Sequence, residues 1–250
     1  MHRPRVLIVD DDVAVLKFVQ AAFRARDYVT LTAIDGYEAL KAVETEMPDI
    51  MILDIMMPRL DGLETCLRLR EWSTIPIIML SARGDTEVKI KCLEAGADDF
   101  VPKPFDKEEL LARTAAILRR CNIGTTIPKD PILTAGDLTI NFPARSVTVS
   151  GKEVRLTPTE YSLLQELAVN VGKVIDHTYL LRKIWGAEYA GETEYLRVFI
   201  NRLRAKLEPD PANPRYIVTA MGVGYMFNRR APGRDSELAA VPGTGVPEAR

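Results

Sequence analysis

The chain has 250 residues, well above the roughly 150 of an average domain, so two domains are expected. A hydrophobic fraction of 47% and a charged fraction of 27% fit a folded globular chain rather than a fibrous or wholly disordered one. No run approaches the ~18 apolar residues that span a bilayer, and the apolar start Val6-Leu7-Ile8-Val9 breaks off at Asp10, which argues against a signal peptide. A cytoplasmic location with no membrane partner is expected. Cys66, Cys92 and Cys121 form no CxxC pair, and His2 and His177 are the only histidines. That argues against a disulfide framework and a zinc site, and leaves little room for a His-based triad or a His-rich metal site. The net charge of −2 hides a split, with −4 over residues 1–120 and +3 over residues 133–230. An acidic module joined to one that could meet a polyanion follows.

Along the first half, Val6-Leu7-Ile8-Val9, Ile50-Met51-Ile52-Leu53 and Ile77-Ile78-Met79-Leu80 read as strands buried on both faces. Val29-Thr30-Leu31 and Asp99-Phe100-Val101 are shorter strands. Helical spacing occupies 13–26, 36–46, 62–71, 86–95 and 106–120 between them. This βα alternation predicts an α/β doubly wound, five-stranded parallel sheet over residues 1–120. Residues 121–132, with two prolines and no periodicity, read as a linker. A smaller α+β domain over 133–228 opens with short strands near 137–141, 145–149 and 153–156. Thr157-Pro158-Thr159-Glu160 is a helix start with a capping box and Pro at the first helical position. That helix runs to about Asn170. A second begins after Asp176, a third covers about 194–208, and a hairpin follows over 215–227. Residues 229–250, rich in Pro, Gly and Ala, read as a disordered tail.

In doubly wound sheets ligands sit at the C-terminal ends of the strands. Asp10, Asp11, Asp54, Ser81 and Lys103 all fall there. Gathered carboxylates repel one another, and a hard divalent cation such as Mg²⁺ relieves the repulsion. A carboxylate can also attack phosphorus, with a hydroxyl and an ammonium binding the phosphoryl oxygens. Asp12 reads instead as the cap of the first helix. The stretches Val9-Asp10-Asp11-Asp12, Leu53-Asp54-Ile55-Met56-Met57-Pro58 with Asp61-Gly62, Leu80-Ser81-Ala82-Arg83 and Gly96-Ala97-Asp98-Asp99-Phe100-Val101-Pro102-Lys103-Pro104 resemble the motifs of a two-component receiver domain. The resemblance implies that Asp54 accepts a phosphoryl group from a sensor histidine kinase. It implies that Asp10, Asp11, Asp54 and the carbonyl of Met56 hold Mg²⁺, that Ser81 and Lys103 bind phosphate, and that Phe100 is a switch aromatic. It also suits a cis peptide before Pro104. An aspartyl-phosphate phosphohydrolase would use the same nucleophile but needs an acid two residues on. That position is Met56. A DNA-binding protein that assembles without phosphorylation is a third reading, opposed by the intact acidic set.

In the third helix of the second half, Leu196, Ile200, Leu203 and Leu207 form an apolar stripe, widened by Phe199. Arg197, Val198, Asn201 and Arg204 fall opposite, with Arg202 and Lys206 at the flanks. Arg and Asn on one face suit guanine and adenine edges in the major groove, Val198 could touch a thymine methyl on the groove floor, and Arg202 and Lys206 at the edge should meet phosphates. Leu156-Thr157-Pro158-Thr159-Glu160-Tyr161, Leu180-Leu181-Arg182-Lys183-Ile184-Trp185, Val198-Phe199-Ile200-Asn201-Arg202-Leu203-Arg204 and Gly222-Val223-Gly224-Tyr225 resemble the OmpR/PhoB-type winged helix-turn-helix domain. By that likeness the third helix enters double-stranded DNA, Thr219 and Tyr225 approach the backbone near the wing, and RNA polymerase is a partner. Tyr195-Leu196-Arg197 is similar to the KdpE-type subgroup. Asn201 and Met221 stand where the family often has Arg, which should make the salt dependence of binding shallower.

In that family phosphorylation biases the face of the fourth helix, fifth strand and fifth helix toward a symmetric homodimer. The matching residues are Ile90, Leu93 and Leu111 as an apolar patch. The charge pairs across it are Lys89 with Glu109, Asp99 with Arg113, and Asp98 with Arg120.

Overall fold

A computed structural model describes residues 3–82, 85–122 and 130–229. In the first half, strands β1 (Arg5–Val9), β2 (Val29–Ala33), β3 (Ile50–Asp54), β4 (Ile77–Ser81) and β5 (Asp99–Pro102) alternate with helices α1 (Val13–Arg24), α2 (Gly36–Glu46), α3 (Gly62–Arg70), α4 (Thr86–Glu94) and α5 (Lys107–Asn122). All strand pairs are parallel, in the order β2-β1-β3-β4-β5. Successive side chains of a strand point to opposite faces, so the unbroken apolar runs fill two cores. Val6, Ile8, Ile52 and Leu80 pack with Leu16, Phe23 and Ile117 of α1 and α5. Leu7, Val9, Leu53 and Met79 pack with Val43, Cys66 and Cys92 of α2, α3 and α4. Asp12, Asp35, Asp61 and Asp85 cap the first four helices with their carboxylates, as short acidic side chains do at N-termini.

The second half begins with a four-stranded antiparallel sheet of β6 (Ile132–Ala135), β7 (Leu138–Asn141), β8 (Ser146–Val149) and β9 (Lys152–Glu153). Helix α6 (Pro158–Val169) opens on the expected capping box, with Thr157 and Glu160 bonding each other's backbone. Strand β10 (Val174–Asp176), helix α7 (His177–Ile184), a 3₁₀ turn (Ala187–Tyr189), helix α8 (Thr193–Leu207) and strands β11 (Ile217–Ala220) and β12 (Gly224–Phe227) follow. One core, built on Leu163, Leu180, Leu196, Phe199, Ile200 and Phe227, joins the three helices to the sheets. This is a winged-helix domain.

Sequence periodicity passes over three features. β6 starts at the last residue of the segment read as linker and precedes the first strand expected, and β10 is only three residues long. The expected hairpin is therefore a three-stranded sheet, β10-β12-β11. β10 crosses so close that a Cβ on Gly224 would lie 1.8 Å from the Ile175 carbonyl oxygen. Third, α5 runs two residues past its expected end, and the strand expected at 153–156 is limited to Lys152–Glu153. The rest of the linker (123–129) and the tail from Arg230 on lie outside the described residues.

Candidate phosphoacceptor site and nucleic-acid interface

The acidic residues meet at the C-terminal edge of the parallel sheet. Register pairs Val9 with Leu53 and Asp54 with Leu80, which brings the ends of β1, β3 and β4 level. Asp10, Asp54 and Ser81 are buried. Lys103, held by its N–H to the Ser81 carbonyl at 2.6 Å, extends its ammonium to Asp10 Oδ2 at 2.7 Å and Asp54 Oδ1 at 2.6 Å. The remaining oxygens are aligned by backbone: Asp10 Oδ1 accepts from Asp12 N–H, and Asp54 Oδ2 from Met56 N–H, both at 2.9 Å. The peptide Lys103–Pro104 is cis. Gly62 is dictated by crowding, since a Cβ there would stand 2.1 Å from the Asp54 carbonyl oxygen.

Burial raises the pKa of Asp54 above the usual carboxylate value, opposed by the bond and charge of Lys103 and reinforced by Asp10. For Lys103 burial acts downward, but the bonds to Asp10 and Asp54 overcome it and hold the ammonium above its usual value. Asp11 is exposed beside this pair, and the Met56 side chain points to solvent. Among the described residues no three acidic, His or Cys side chains gather closely enough to hold a metal alone. The expected set is thus assembled in part, with Lys103 between Asp10 and Asp54. Two buried carboxylates sharing one cation, with a third at the rim, remain a donor set that fits a hard ion keeping several waters. Phe100 is buried in the α2–α4 core.

The third-helix expectations divide. Arg197 and Asn201 are exposed on α8, one turn apart. Val198, expected to face a groove floor, is only 6% exposed and belongs to a core cluster that also contains Leu93 of α4. Arg202, expected to meet phosphates, donates to the carbonyls of Ala97 (2.8 Å) and Leu93 (3.3 Å), and pairs with Glu160 at 2.7 Å. Lys206, also expected at a phosphate, contacts Glu160 at 2.6 Å and the Arg155 carbonyl. Arg204 reaches the wing instead of a base: it donates to the Ile217 carbonyl and to Thr219 Oγ1, both at 2.7 Å. Thr219 is exposed, whereas Tyr225 is buried, edge-on to His177. The helical wheel identified one apolar stripe correctly but could not show that a second flank of α8 is covered by another domain.

The face formed by α4, β5 and α5 does that covering. Lys89 pairs with Glu192 at 2.6 Å, not with Glu109, which pairs with Arg113 on its own helix. Asp99 keeps Arg113 within its own chain at 3.2 Å and accepts hydroxyls from Tyr189 (2.5 Å) and Tyr195 (3.0 Å). Asp98 binds Arg70 at 3.1 Å and Thr157 Oγ1 at 2.9 Å. Arg120 donates to Thr159 Oγ1 and lies over the Trp185 ring. Burial pushes its guanidinium down to about 10, against the pull of Asp99 and Asp98. Leu93 and Ile90 pack with the winged-helix core, while Leu111 faces the α1–α5 side of the sheet, so these three do not form one patch. Sequence reasoning passed over Tyr189 and Glu192, and gave Tyr195 no contact with the receiver and Glu160 no role beyond its helix cap. The available signal was Asp98-Asp99 beside a strand, since buried acids require partners.

A parallel sheet with an acidic, lysine-bridged edge, followed by a winged helix, defines a receiver-type domain joined to a DNA-binding type of domain. Residues 6–115 match the response regulator receiver domain, and residues 151–227 match the C-terminal domain of transcriptional regulatory proteins. The transcriptional regulatory protein KdpE of Mycobacterium tuberculosis (strain H37Rv) is 41% identical over 222 residues, covering 89% of this chain and 98% of that protein. The KDP operon regulatory protein KdpE of Escherichia coli K12 shares 41% over the same shares of the two chains. A probable transcriptional regulator, ycf27, of Guillardia theta shares 43% over 91% of each. Among solved structures, a mutant of RitR superposes with a TM-score of 0.75 at 26% identity over 90% of this chain and 98% of that one. The chain belongs to the OmpR/PhoB-type two-component response regulators, which are transcription regulators. No helix among the described residues is long and apolar enough to cross a membrane.

Proposed function

We propose that this chain is a cytoplasmic, phosphorylation-controlled transcription factor. Its receiver domain is 1–120, its linker 121–132 and its DNA-binding domain 133–228. The carrying observation is the Lys103 ammonium spanning Asp10 and Asp54 at the sheet edge. Asp54 Oδ1 attacks the phosphorus of a phosphohistidine on a sensor kinase. The P–N bond breaks, and its electron pair returns to the imidazole, which leaves with a proton. Lys103 moves from the carboxylate to an oxygen of the transferred group, and Ser81 donates to another. Asp10, Asp11, Asp54 and the Met56 carbonyl would hold Mg²⁺, which when bound offsets the charge between Asp54 and the phosphoryl oxygens. Met56 offers no acid for rapid hydrolysis, so the product persists as a signal rather than turning over.

The added charge beside Ser81 and Lys103 draws the loop after β4 inward, and Phe100 follows. The α4–β5–α5 face then pairs with a second receiver, through Lys89 with Glu109, Asp99 with Arg113 and Asp98 with Arg120. A dimer presents two α8 helices to two half-sites. In each, Arg197 and Asn201 read bases, while Arg202 and Lys206 are free for phosphates only after leaving Glu160 and the receiver. RNA polymerase is the further partner of the DNA-bound dimer. Mapping of chromosomal binding sites with and without a phosphodonor, beside Asp54→Asn, tests the reading. Occupancy that rises with phosphodonor in the wild type only supports it; identical occupancy in all four samples refutes it.

A further inference from the structure

The β11–β12 hairpin beside α8 carries a chemistry that neither hydrogen-bonded base reading nor phosphate pairing uses. Residues 216–228 hold no charged side chain, although the domain is basic as a whole. Val223 N–H donates to the Ala220 carbonyl at 3.0 Å and closes the turn Ala220-Met221-Gly222-Val223, with Gly222 at φ +71°. Glycine takes that left-handed conformation without strain. The turn is fastened on two sides. The Val223 carbonyl accepts from His177 N–H at 3.2 Å, at the start of α7, and Thr219 Oγ1 accepts from Arg204 of α8 at 2.7 Å. On this fixed platform Met221 is 88% exposed, more than any other large apolar side chain among the described residues, and Val223 is 52% exposed. A lone exposed apolar side chain needs no partner. Two on a braced turn that is bonded to α8 extend the surface of that helix.

When α8 lies in the major groove, an element fastened to its flank crosses one phosphate strand and stands over the neighbouring minor groove. That groove is about 6 Å wide, which admits a side chain rather than a hairpin. Met221 brings no donor and no charge, so it neither hydrogen-bonds base edges nor pairs with phosphate. An unbranched apolar side chain acts there by entering between base pairs, unstacking them and bending the duplex toward the major groove. We propose that Met221 is such a wedge: it opens one base step in the minor groove beside the α8 half-site and selects a step that deforms easily. Pyrimidine–purine steps do so most readily, which gives specificity at a position without a hydrogen bond. This rests on the reading of α8 as the major-groove helix.

Full-length wild type, Met221→Ala, Met221→Lys and Asn201→Ala, each treated with a small-molecule phosphodonor, select binders from a random-sequence duplex library. The wild-type consensus duplex, dye-labelled at both ends, then reports bending by energy transfer and affinity by titration at several salt concentrations. Wild type should enrich a pyrimidine–purine step flanking the half-site and bend the duplex. Met221→Ala should lose the bend and the step preference, bind the consensus about tenfold more weakly, and keep the wild-type salt slope because no cation is lost. Met221→Lys should also lose the bend, but steepen the log–log salt slope by about 1. Asn201→Ala should relax a base position and keep the bend. A bend and a step preference that survive Met221→Ala overturn the wedge and leave the α8 reading intact. If wild type enriches no sequence, the α8 reading fails first and the wedge falls with it.

Discussion

Lys103 shows why an acidic site can be read from sequence when its neighbours cannot. Strand ends in a parallel sheet are level, so residues just past each apolar run converge whatever the rest of the fold does. The ammonium between Asp10 and Asp54 is the resting counter-charge of that convergence. Lys103→Met should therefore leave two buried carboxylates facing each other. The expected loss is about 2 to 3 kcal/mol, below the full penalty for a broken buried pair because Lys103 is partly exposed. Adding Asp10→Asn should restore about 1 kcal/mol, a coupling that only a shared site produces. Urea unfolding of the receiver transition, without divalent cation, measures both. Equal losses in the single and double variants would mean that the two charges do not interact.

Helices α6 and α8 are joined by a contact that no local pattern contains. The capping-box motif was legible at Thr157 and Glu160, but the motif accounts for only one oxygen of Glu160; its other charge contacts come from Arg202 and Lys206, more than forty residues away. Burial acts to raise the pKa of Glu160, but the two cations overcome it and hold the carboxylate below its usual range. A depressed folded pKa contributes stability that is complete above the ordinary Glu value of ~4.3 and is lost as pH falls through the lowered value. Glu160→Gln should destabilise the winged-helix domain by about 3 kcal/mol at neutral pH and flatten the acid limb of its stability profile, read by thermal unfolding from pH 3 to 7. The outward face of α8 was equally legible, because a stripe opposite the core is a local property. Arg202 was misplaced because its partners include the carbonyls at the end of α4, and Val198 because it is buried in the core cluster. Arg204 gives a further contrast. Its bonds to Ile217 and Thr219 fasten the wing to α8, so Arg204→Ala should weaken binding to all DNA sequences alike. Asn201→Ala should instead cost roughly 1–3 kcal/mol at the preferred site and relax one base position. Titrations on specific and scrambled duplexes decide between these roles.

The two domains together carry a reporter of their own arrangement. Only two tryptophans are present, Trp72 and Trp185. Trp72 is partly exposed on the receiver, where its carbonyl accepts from Arg155 of the winged-helix domain. Trp185 is buried against Tyr195 and Phe199, with the receiver's Arg120 guanidinium 5.8 Å from the ring centre. A cation over an indole face is an electrostatic contact that exists only while the domains are docked. Trp72→Phe therefore leaves one fluorophore that senses the interface. If phosphorylation of Asp54 parts the domains, phosphodonor should shift the emission of this variant to longer wavelength and increase its quenching by acrylamide. The same spectrum in Trp72→Phe/Asp54→Asn should not move. Partial opening should also appear on raising ionic strength, since Lys89 and Glu192 form an interdomain ion pair near the surface and salt screens such pairs. An emission spectrum that responds to neither salt nor phosphodonor, in a chain shown to be phosphorylated, would mean that the domains stay docked throughout signalling and that activation proceeds without their separation.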